Sequence, residues 1–303
     1  MSPAATGLVR TKTENKVKIG IIGTGLMGQP MGLRLLEKGE AVVAYNRTPS
    51  KLFPLEQAGA TIADSPVEVF ANAEVTILML SDAKAIASIL ESVRELQGKT
   101  IIQMGTIAPT ESQSIQQQVS AVGGSYLEAP VLGSIPQVKT GELIVMVGST
   151  SQQFQQWQPL LQHYSPEPLH VGEVGKASAM KLALNQLIAG LTATFALSLG
   201  FVRQQGVNVE QFMDVVRTSA LYAPTFDKKL SRMQEANFDN PNFPTKHLLK
   251  DTQLFLSQAE SLGLATDGLR GIETLIEKAI ALGLAERDYS AIYQATVSKE
   301  ATD

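Results

Sequence analysis

Short apolar runs alternate with helix-length amphipathic segments through the first half of the chain. Strand-length runs lie at residues 17–22, 41–45, 75–80, 100–104, 125–128 and 143–147. Helical patterns lie between some of them, at residues 26–38, 84–96 and 110–122. Because strands separated by helix-length segments form βαβ crossovers, this alternation predicts an α/β fold with a parallel sheet covered by helices.

The pattern changes near Gly175. After this residue the strand-like runs end, and helical patterns are broken by turns such as residues 240–242 and Gly263. We therefore predict an α/β domain at residues 16–175 and an all-α domain at residues 176–303, which includes one long interdomain helix. Residues 1–15 contain no apolar core and are predicted to form a flexible tail.

The predicted long helix has no charged residue between positions 182 and 202. Such a run is long enough to span a bilayer. Polar residues interrupt it, among them Asn185 and Gln186, and the run stands alone in mid-chain. A helix that is apolar nearly all round also forms the centre of a soluble helical domain. We favour this second interpretation and predict no membrane partner.

Composition narrows the possible chemistry. The 303 residues include no cysteine and only three histidines, and the formal net charge is −4. Disulfides, thiolate metal sites and a cysteine nucleophile are excluded, and we predict no bound metal. Bulk positive charge for binding nucleic acid is also missing. The first residues lack a signal-peptide pattern, so a cytoplasmic location is expected.

A glycine-rich turn follows the first predicted strand. It reads Gly23-Thr24-Gly25-Leu26-Met27-Gly28, a G-x-G-x-x-G pattern between a strand and a helix. The first glycine allows the tight turn, the second lets backbone approach a pyrophosphate, and the third lets helix and strand pack closely. The turn therefore predicts a Rossmann-like domain that binds a dinucleotide, with the pyrophosphate at the helix N-terminus.

The end of the second predicted strand indicates which dinucleotide binds. An NAD enzyme places a carboxylate there to bind the ribose hydroxyls. Here the strand is followed by Asn46-Arg47-Thr48. Arg47 can pair with a 2′-phosphate and stack on adenine, whereas a carboxylate would repel that phosphate. We therefore predict NADP(H) as the cofactor.

Hydride transfer to a carbonyl group requires a proton donor for the oxygen. No tyrosine is followed by a lysine four residues later, and the histidines lie in unpromising contexts, which leaves lysine. Lys181 opens the uncharged helix, and Asn185 lies one turn later on the same face. The residues alone leave two interpretations open: a proton donor held beside a polar partner, or a lysine that snorkels outward.

These motifs together resemble the β-hydroxyacid dehydrogenase family, which includes 3-hydroxyisobutyrate dehydrogenase. The likeness is strongest to the glyoxylate/succinic semialdehyde reductase branch and covers nearly the whole chain after the tail. Further matching segments are residues 79–82, 105–107, 128–134 and 172–175, together with Phe243, Pro244, Lys246, Lys250 and Asp251.

The resemblance implies roles for individual residues. Lys181 is the expected acid and base, and Asn185 is expected to orient the substrate. Leu80 lies in a loop that lines the cofactor, and Thr106 and Lys250 are expected to contact its nicotinamide half.

The resemblance also implies a set of substrate contacts. These are Leu132, Gly133, Ser134 and Asp251. Gly133 and Ser134 would present backbone N–H groups to a substrate carboxylate. The family usually has serine where Leu132 stands, so a hydroxyl donor is replaced by apolar bulk, which is expected to change the preference among small acids.

The activity implied is that of an NADPH-dependent reductase of short-chain semialdehydes and oxoacids, such as glyoxylate and succinic semialdehyde. In reverse it would act as a hydroxyacid dehydrogenase. A homodimer or homotetramer packed through the long helix is also implied. Two alternatives stay open: a 3-hydroxyisobutyrate- or 3-hydroxybutyrate-type dehydrogenase, and a non-catalytic NADP-binding scaffold.

Overall fold

The computed structural model describes residues 17–297. The predicted tail at residues 1–15 lies outside the described residues, so that prediction stays untested. A sheet with flanking helices occupies residues 18–172, and helices follow it. The predicted class, a Rossmann-like α/β region followed by a helical region, is confirmed.

One sheet forms the centre of the first region. Its strands are β1 (Lys18–Ile22), β2 (Ala41–Tyr45), β3 (Thr61–Ile62), β4 (Val75–Leu78), β5 (Thr100–Gln103), β6 (Ser125–Glu128), β7 (Val131–Leu132), β8 (Ile144–Gly148) and β9 (Leu169–Gly172). Their order is β3-β2-β1-β4-β5-β6-β8-β7, with β9 paired to β8. The strands from β3 to β6 pair in parallel. The strand order reverses between β1 and β4, and ligands bind open α/β sheets at such a switch point.

Helices cover both faces of this sheet. They are α1 (Gly28–Glu37), α2 (Phe53–Gln57), α3 (Pro66–Asn72), α4 (Ala83–Leu90), α5 (Pro109–Ala121), α6 (Ile135–Thr140) and α7 (Ser151–Leu161). Adjacent strand residues point to opposite faces. In β5, Ile102 therefore packs in the apolar cluster that includes α1 and α7, and Ile101 packs in the cluster that includes α3, α4 and α5.

One edge of the sheet departs from the predicted pattern. The sheet is mostly parallel, but β8 runs antiparallel to both β6 and β7. The chain returns from β7 to β8 through the short α6, and a parallel crossover takes a dozen or more residues. The strands β3, β7 and β9 were not predicted. Two of them have only two residues, too few to show an apolar period.

The second region is helical throughout its described length. Its helices are α8 (Lys176–Gln204), α9 (Val209–Thr218), α10 (Pro224–Gln234), α11 (Thr245–Ser261), α12 (Asp267–Ala279) and α13 (Ile292–Val297). The predicted division at residues 175 and 176 falls between the end of β9 and the start of α8.

The 29-residue α8 is the central helix of this region. It packs against α11, α12 and α13 as well as against β8 of the sheet. By length and composition it is the one helix within residues 17–297 that could cross a membrane, and 44% of its most apolar window is buried against the rest of the chain. Packing on several sides accounts for the buried part of the uncharged run, while Leu187, Leu197 and Phe201 are exposed.

Candidate active site

The glycine-rich turn connects β1 to α1, and the protein itself requires two of its glycines. Gly23 has φ +96°, and a Cβ on it would overlap the carbonyl oxygen of Met79. A Cβ on Gly28 would overlap the carbonyl oxygen of Gly23. A Cβ on Gly25 would meet no heavy atom within 4 Å. The backbone at Gly25 is therefore open to a ligand, as a turn that receives a pyrophosphate requires.

Side chains hold this turn against the end of β2. The Thr24 N–H donates to Asn46 Oδ1 at 3.0 Å, and the Thr24 hydroxyl donates to the carbonyl oxygen of Lys51 at 3.3 Å. Asn46 Nδ2 donates to the carbonyl oxygen of Thr48 at 3.0 Å. Both ends of the Asn46 amide are thus used within the protein, and this residue shapes the turn.

The other residues predicted to bind the cofactor here differ in exposure. Met27 packs against the apolar core, whereas Leu26 is 46% exposed. Arg47 is exposed after β2 and makes no hydrogen bond or ion pair with any residue between 17 and 297. Since the Gly23 N–H donates to the carbonyl oxygen of Tyr45, Arg47 lies near the turn with its guanidinium available to a ligand.

Two further loops meet at the carboxyl edge of the sheet, after β4 and after β5. The Leu80 side chain lies beside Gly23, and a Cβ on Gly105 would come within 2.5 Å of the carbonyl oxygen of Leu80. Thr106 follows and is half-buried. The structure therefore brings Leu80 and Thr106 together with the glycine-rich turn at the switch point of the sheet.

Lys250 on α11 ties these loops to the helical region. Its ammonium donates to the carbonyl oxygens of Ser81 at 2.8 Å and Thr106 at 2.7 Å. It also forms an ion pair with Asp251 Oδ1 at 3.0 Å, without the alignment of a hydrogen bond. The sequence indicated a cofactor contact for Lys250 and gave no sign of this bridge between the two regions.

Lys181, Asn185 and Asp251 form a buried polar cluster beside this bridge. Their exposed fractions are 9%, 3% and 3%. Asn185 Nδ2 donates to Asp251 Oδ2 at 2.6 Å. Within the described chain, Asn185 Oδ1 accepts no hydrogen bond, and Asp251 Oδ1 has only its ion pair with Lys250. The Lys181 ammonium makes no hydrogen bond or ion pair there, although the Asp251 carboxylate attracts it. Buried polar groups are normally paired, so this cluster indicates a site for a polar ligand.

The surroundings of Lys181 change its acidity. Burial lowers the pKa of Lys181 from 10.5 to about 8, while the Asp251 carboxylate opposes the shift and Lys250 adds to it. An amine with such a pKa exchanges a proton near neutral pH. The buried position is also incompatible with a lysine that snorkels into solvent, and the role of Lys181 as proton donor stays a prediction.

The segment predicted to bind substrate covers β7 and the start of α6. Leu132 is half-buried, and Gly133 has φ +132°. The Ser134 N–H and hydroxyl both donate to Gln137 Oε1, at 3.0 and 2.9 Å. The Ser134 N–H that was expected to face a carboxylate is therefore already bonded to an amide oxygen of the same segment.

Glu128 is a site residue to which the sequence analysis assigned no role. It is fully buried at the end of β6, and its carboxylate accepts hydrogen bonds from the first turn of α8, the helix that carries Lys181 and Asn185. A signal was available in the sequence. A carboxylate at the last position of a buried strand must find donors within the protein.

The donor set fits a dinucleotide. The open backbone at Gly25 and the exposed Arg47 guanidinium suit phosphate groups, and Lys250 connects the loops that carry Leu80 and Thr106 to the helix that carries Asp251. Within residues 17–297 no group of three or more His, Asp or Glu side chains is placed to hold a metal ion.

Comparison with known families assigns the chain. Residues 18–172 match the NAD-binding domain of 6-phosphogluconate dehydrogenase. Residues 175–296 match the NAD-binding domain of NADP-dependent 3-hydroxyisobutyrate dehydrogenase. The chain belongs to the 3-hydroxyisobutyrate dehydrogenase family.

Two plant members of this family are similar along most of the chain. Glyoxylate/succinic semialdehyde reductase 1 of Arabidopsis thaliana is 30% identical, over 92% of this chain and 98% of its own length. The chloroplastic reductase 2 of the same plant is 31% identical, over 92% of this chain and 79% of its own length. The human cytokine-like nuclear factor N-PAC is 27% identical, but the match spans only 52% of its length.

Solved structures of other proteins share the fold. The Mycobacterium tuberculosis 3-hydroxyisobutyrate dehydrogenase with L-serine has a TM-score of 0.82 at 21% identity, over 93% of this chain and 100% of that one. Psf3 in complex with NADP+ and 2-OPP has a TM-score of 0.80 at 22% identity, over 91% and 99%. The predicted family is confirmed, and the protein is a hydroxyacid dehydrogenase with NAD(P)-binding domains.

Proposed function

We propose that this member of the 3-hydroxyisobutyrate dehydrogenase family is an NADPH-dependent reductase of short-chain semialdehydes and oxoacids, such as succinic semialdehyde and glyoxylate. In reverse it acts as a hydroxyacid dehydrogenase. The observation that carries the proposal is the buried Lys181 side chain, whose ammonium makes no hydrogen bond or ion pair within residues 17–297 and lies beside Asn185 and Asp251. The activities for which the two plant reductases are named support this substrate class.

The chain's own residues divide the work of binding. The turn at Gly25 offers backbone N–H groups at the N-terminus of α1 to a pyrophosphate. Leu80 and Thr106 line the crevice from the turn to the buried cluster. When bound, the reduced nicotinamide supplies a hydride.

Lys181 supplies the proton. Its ammonium stabilises negative charge that develops on the carbonyl oxygen and then transfers a proton from Nζ to that oxygen. With a pKa of about 8 the amine is mostly protonated at neutral pH and still gives up its proton readily. Asn185 is held by Asp251 and keeps Oδ1 available to a substrate hydroxyl.

The Ser134 donors bind the substrate carboxylate once it displaces Gln137 Oε1, which occupies them through an amide oxygen of similar geometry. A carboxylate accepts charge-assisted hydrogen bonds, which are stronger than those to an amide. Leu132 adds apolar contact where a hydroxyl would otherwise stand, and this changes the preference among small acids.

The substrate class is tested by following NADPH oxidation with glyoxylate, succinic, malonic and methylmalonic semialdehydes, and by following NADP+ reduction with 3-hydroxyisobutyrate and 3-hydroxybutyrate. We expect the highest kcat/KM for glyoxylate or succinic semialdehyde. A preference for 3-hydroxyisobutyrate or 3-hydroxybutyrate over all four would replace this proposal by the dehydrogenase alternative. Binding of NADPH without turnover of any of these compounds would favour a scaffold.

The preference for NADPH over NADH is proposed on Arg47, whose guanidinium has no partner within the described chain. A charge-assisted hydrogen bond contributes about 1.5–3 kcal/mol, or roughly ten- to 150-fold in affinity. Arg47→Asp should therefore reduce the ratio of kcat/KM for NADPH to that for NADH about tenfold or more. Wild-type protein that uses both cofactors equally would contradict the assignment.

A homo-oligomer is proposed on the exposed face of α8. Leu187, Leu197 and Phe201 are 54%, 64% and 64% exposed, which is unusual for one face of a central helix. A second copy of the chain would cover this apolar face. Light scattering of the purified protein should give a dimer or tetramer mass, and Leu197→Glu should lower it.

A further inference from the structure

We propose that Glu128 is a positioning residue for the reduction, because its carboxylate holds the first turn of α8 and thereby fixes the place of Lys181. The inference rests on the proposed function, in which Lys181 is the proton donor. Glu128 itself touches neither cofactor nor substrate in this assignment and acts only through the helix.

The carboxylate of Glu128 is fully engaged at the start of α8. Its Oε1 accepts hydrogen bonds from the backbone N–H groups of Gly175, Ala177 and Ser178, at 2.8, 2.9 and 3.1 Å. Its Oε2 accepts from the Ser178 hydroxyl at 2.6 Å. These N–H groups have no partner within the helix, so Glu128 satisfies donors that every helix start leaves open.

The helix has no side chain of its own for this purpose. Its N-cap residue is Gly175, at φ +101°, which has no side chain to accept a hydrogen bond. In the described chain no lysine, arginine or histidine pairs with Glu128. The buried charge is therefore balanced by the N–H groups and by the positive end of a 29-residue helix.

The neighbouring strand is shaped to admit this carboxylate. Gly148 on β8 pairs with Glu128, and a Cβ at Gly148 would overlap Glu128 Oε1. The missing side chain at Gly148 thus leaves room for the acid. This arrangement indicates that the start of α8 is held in a defined position against the edge of the sheet.

The anchored turn lies next to the proton donor. Ser178 precedes Lys181 by three residues, which places the two about one helical turn apart. A shift of the first turn therefore moves the ammonium relative to the loops that line the crevice. A displacement of about 1 Å near a reacting group can reduce a rate about 10²-fold.

Three variants of Glu128 separate the effect of side-chain length from the effect of its negative charge. Glu128→Gln keeps an oxygen for the three N–H groups, Glu128→Asp keeps the charge but shortens the reach, and Glu128→Ala removes both. We expect Glu128→Ala and Glu128→Asp to lower kcat about tenfold or more, with the Kd for NADPH within about twofold of wild type. Glu128→Gln should recover most of the kcat. If Glu128→Asp is more active than Glu128→Gln, reach is not the cause and the proposal is wrong.

A second measurement does not depend on turnover. Competitive acetylation with acetic anhydride, read by peptide mass spectrometry against pH, reports the pKa of Lys181 directly. Loosening of the first turn exposes the amine, so Glu128→Ala should raise this pKa from about 8 toward 10.5. Met213→Ala, a core change on α9 beside the other end of α8, controls for loss of stability and should leave it unchanged.

The outcomes are distinguishable. If Glu128→Ala does not fold, the pKa of Lys181 is measured in Glu128→Asp and Ser178→Ala instead. Both variants should raise this pKa by less than Glu128→Ala would. The proposal is overturned if the folded variants show the same pKa of Lys181 as wild type and Met213→Ala. Wild-type protein that reduces no semialdehyde would refute the proposed function, while the labelling comparison would still decide whether Glu128 positions Lys181.

Discussion

The glycine-rich turn and the Lys181 cluster are built in opposite ways. In the turn, the polar groups of Thr24 and Asn46 are paired with nearby backbone. In the cluster, Lys181 makes no hydrogen bond or ion pair with residues 17–297, and the buried Asn185 Oδ1 accepts no hydrogen bond. The paired groups of the turn fix the conformation of its backbone. The unpaired groups of the cluster lower the stability of the fold and stay available for a reaction.

The largest effect is expected at the cluster. Lys181→Met should lower kcat by about 10²–10⁴, because the proton donor is lost. The same change should stabilise the fold at neutral pH. The folded-state pKa of about 8 lies below the usual 10.5, so burying the protonated amine is unfavourable below pH 8, and this penalty disappears as pH rises from 8 to 10.5.

Urea unfolding of wild type and Lys181→Met at two pH values checks this trade-off. The variant should be more stable by up to about 3 kcal/mol at pH 7, and the part of this difference that depends on pH should vanish above pH 10.5. NADPH binding should be unchanged. Turnover within threefold of wild type would remove Lys181 from the mechanism.

The next effect contrasts two glycines of the turn. Gly28→Ala forces a Cβ onto the carbonyl oxygen of Gly23 and should destabilise the protein by about 1–3 kcal/mol. Gly25→Ala meets no protein atom within 4 Å and should change stability by less than about 0.5 kcal/mol. Its effect should fall on NADPH, with a Kd about tenfold higher. Thermal unfolding and fluorescence titration measure the two quantities, and equal stability loss in both variants would contradict the assignment of roles.

The smallest effect concerns the bridge at Lys250. The kcat/KM for reduction should fall above about pH 8, because Lys181 must be protonated to act as an acid. Lys250 lowers the pKa of Lys181, so in Lys250→Met the fall in kcat/KM should begin at higher pH. The matched control is Lys246→Met, because Lys246 lies on the same helix but pairs with Glu286. This variant should not change the pH at which kcat/KM falls. A downward shift in Lys250→Met would contradict the electrostatic account.

Local patterns were enough for much of the fold. The predicted strand at residues 41–45 agrees with β2, and the one at 125–128 agrees with β6, since short apolar runs bounded by turns are a local property. The direction of β8 was not predictable in this way. It depends on the chain turning back after β7, and the apolar run in β8 is the same for either direction.

The site residues also divide into those that local patterns predict and those that depend on contacts distant in sequence. The G-x-G-x-x-G spacing and Arg47 after β2 could be found because each feature lies within a few residues of a predicted strand. The bridge from Lys250 to Ser81 spans 169 positions, and the bonds from Glu128 to the start of α8 span about 50. No pattern in a single sequence couples residues at such distances.

The sequence by itself determined the alternation of strands and helices, the glycine-rich turn, and the presence of a lysine and an asparagine one turn apart on an uncharged helix. These depend on interactions between neighbours along the chain, which the order of residues specifies directly. The tertiary structure decided that Lys181 is buried, that Asn185 meets Asp251, and that Glu128 holds the helix in place. Burial and electrostatic surroundings arise from elements distant in sequence, so the pKa of the lysine is a property of the folded chain alone.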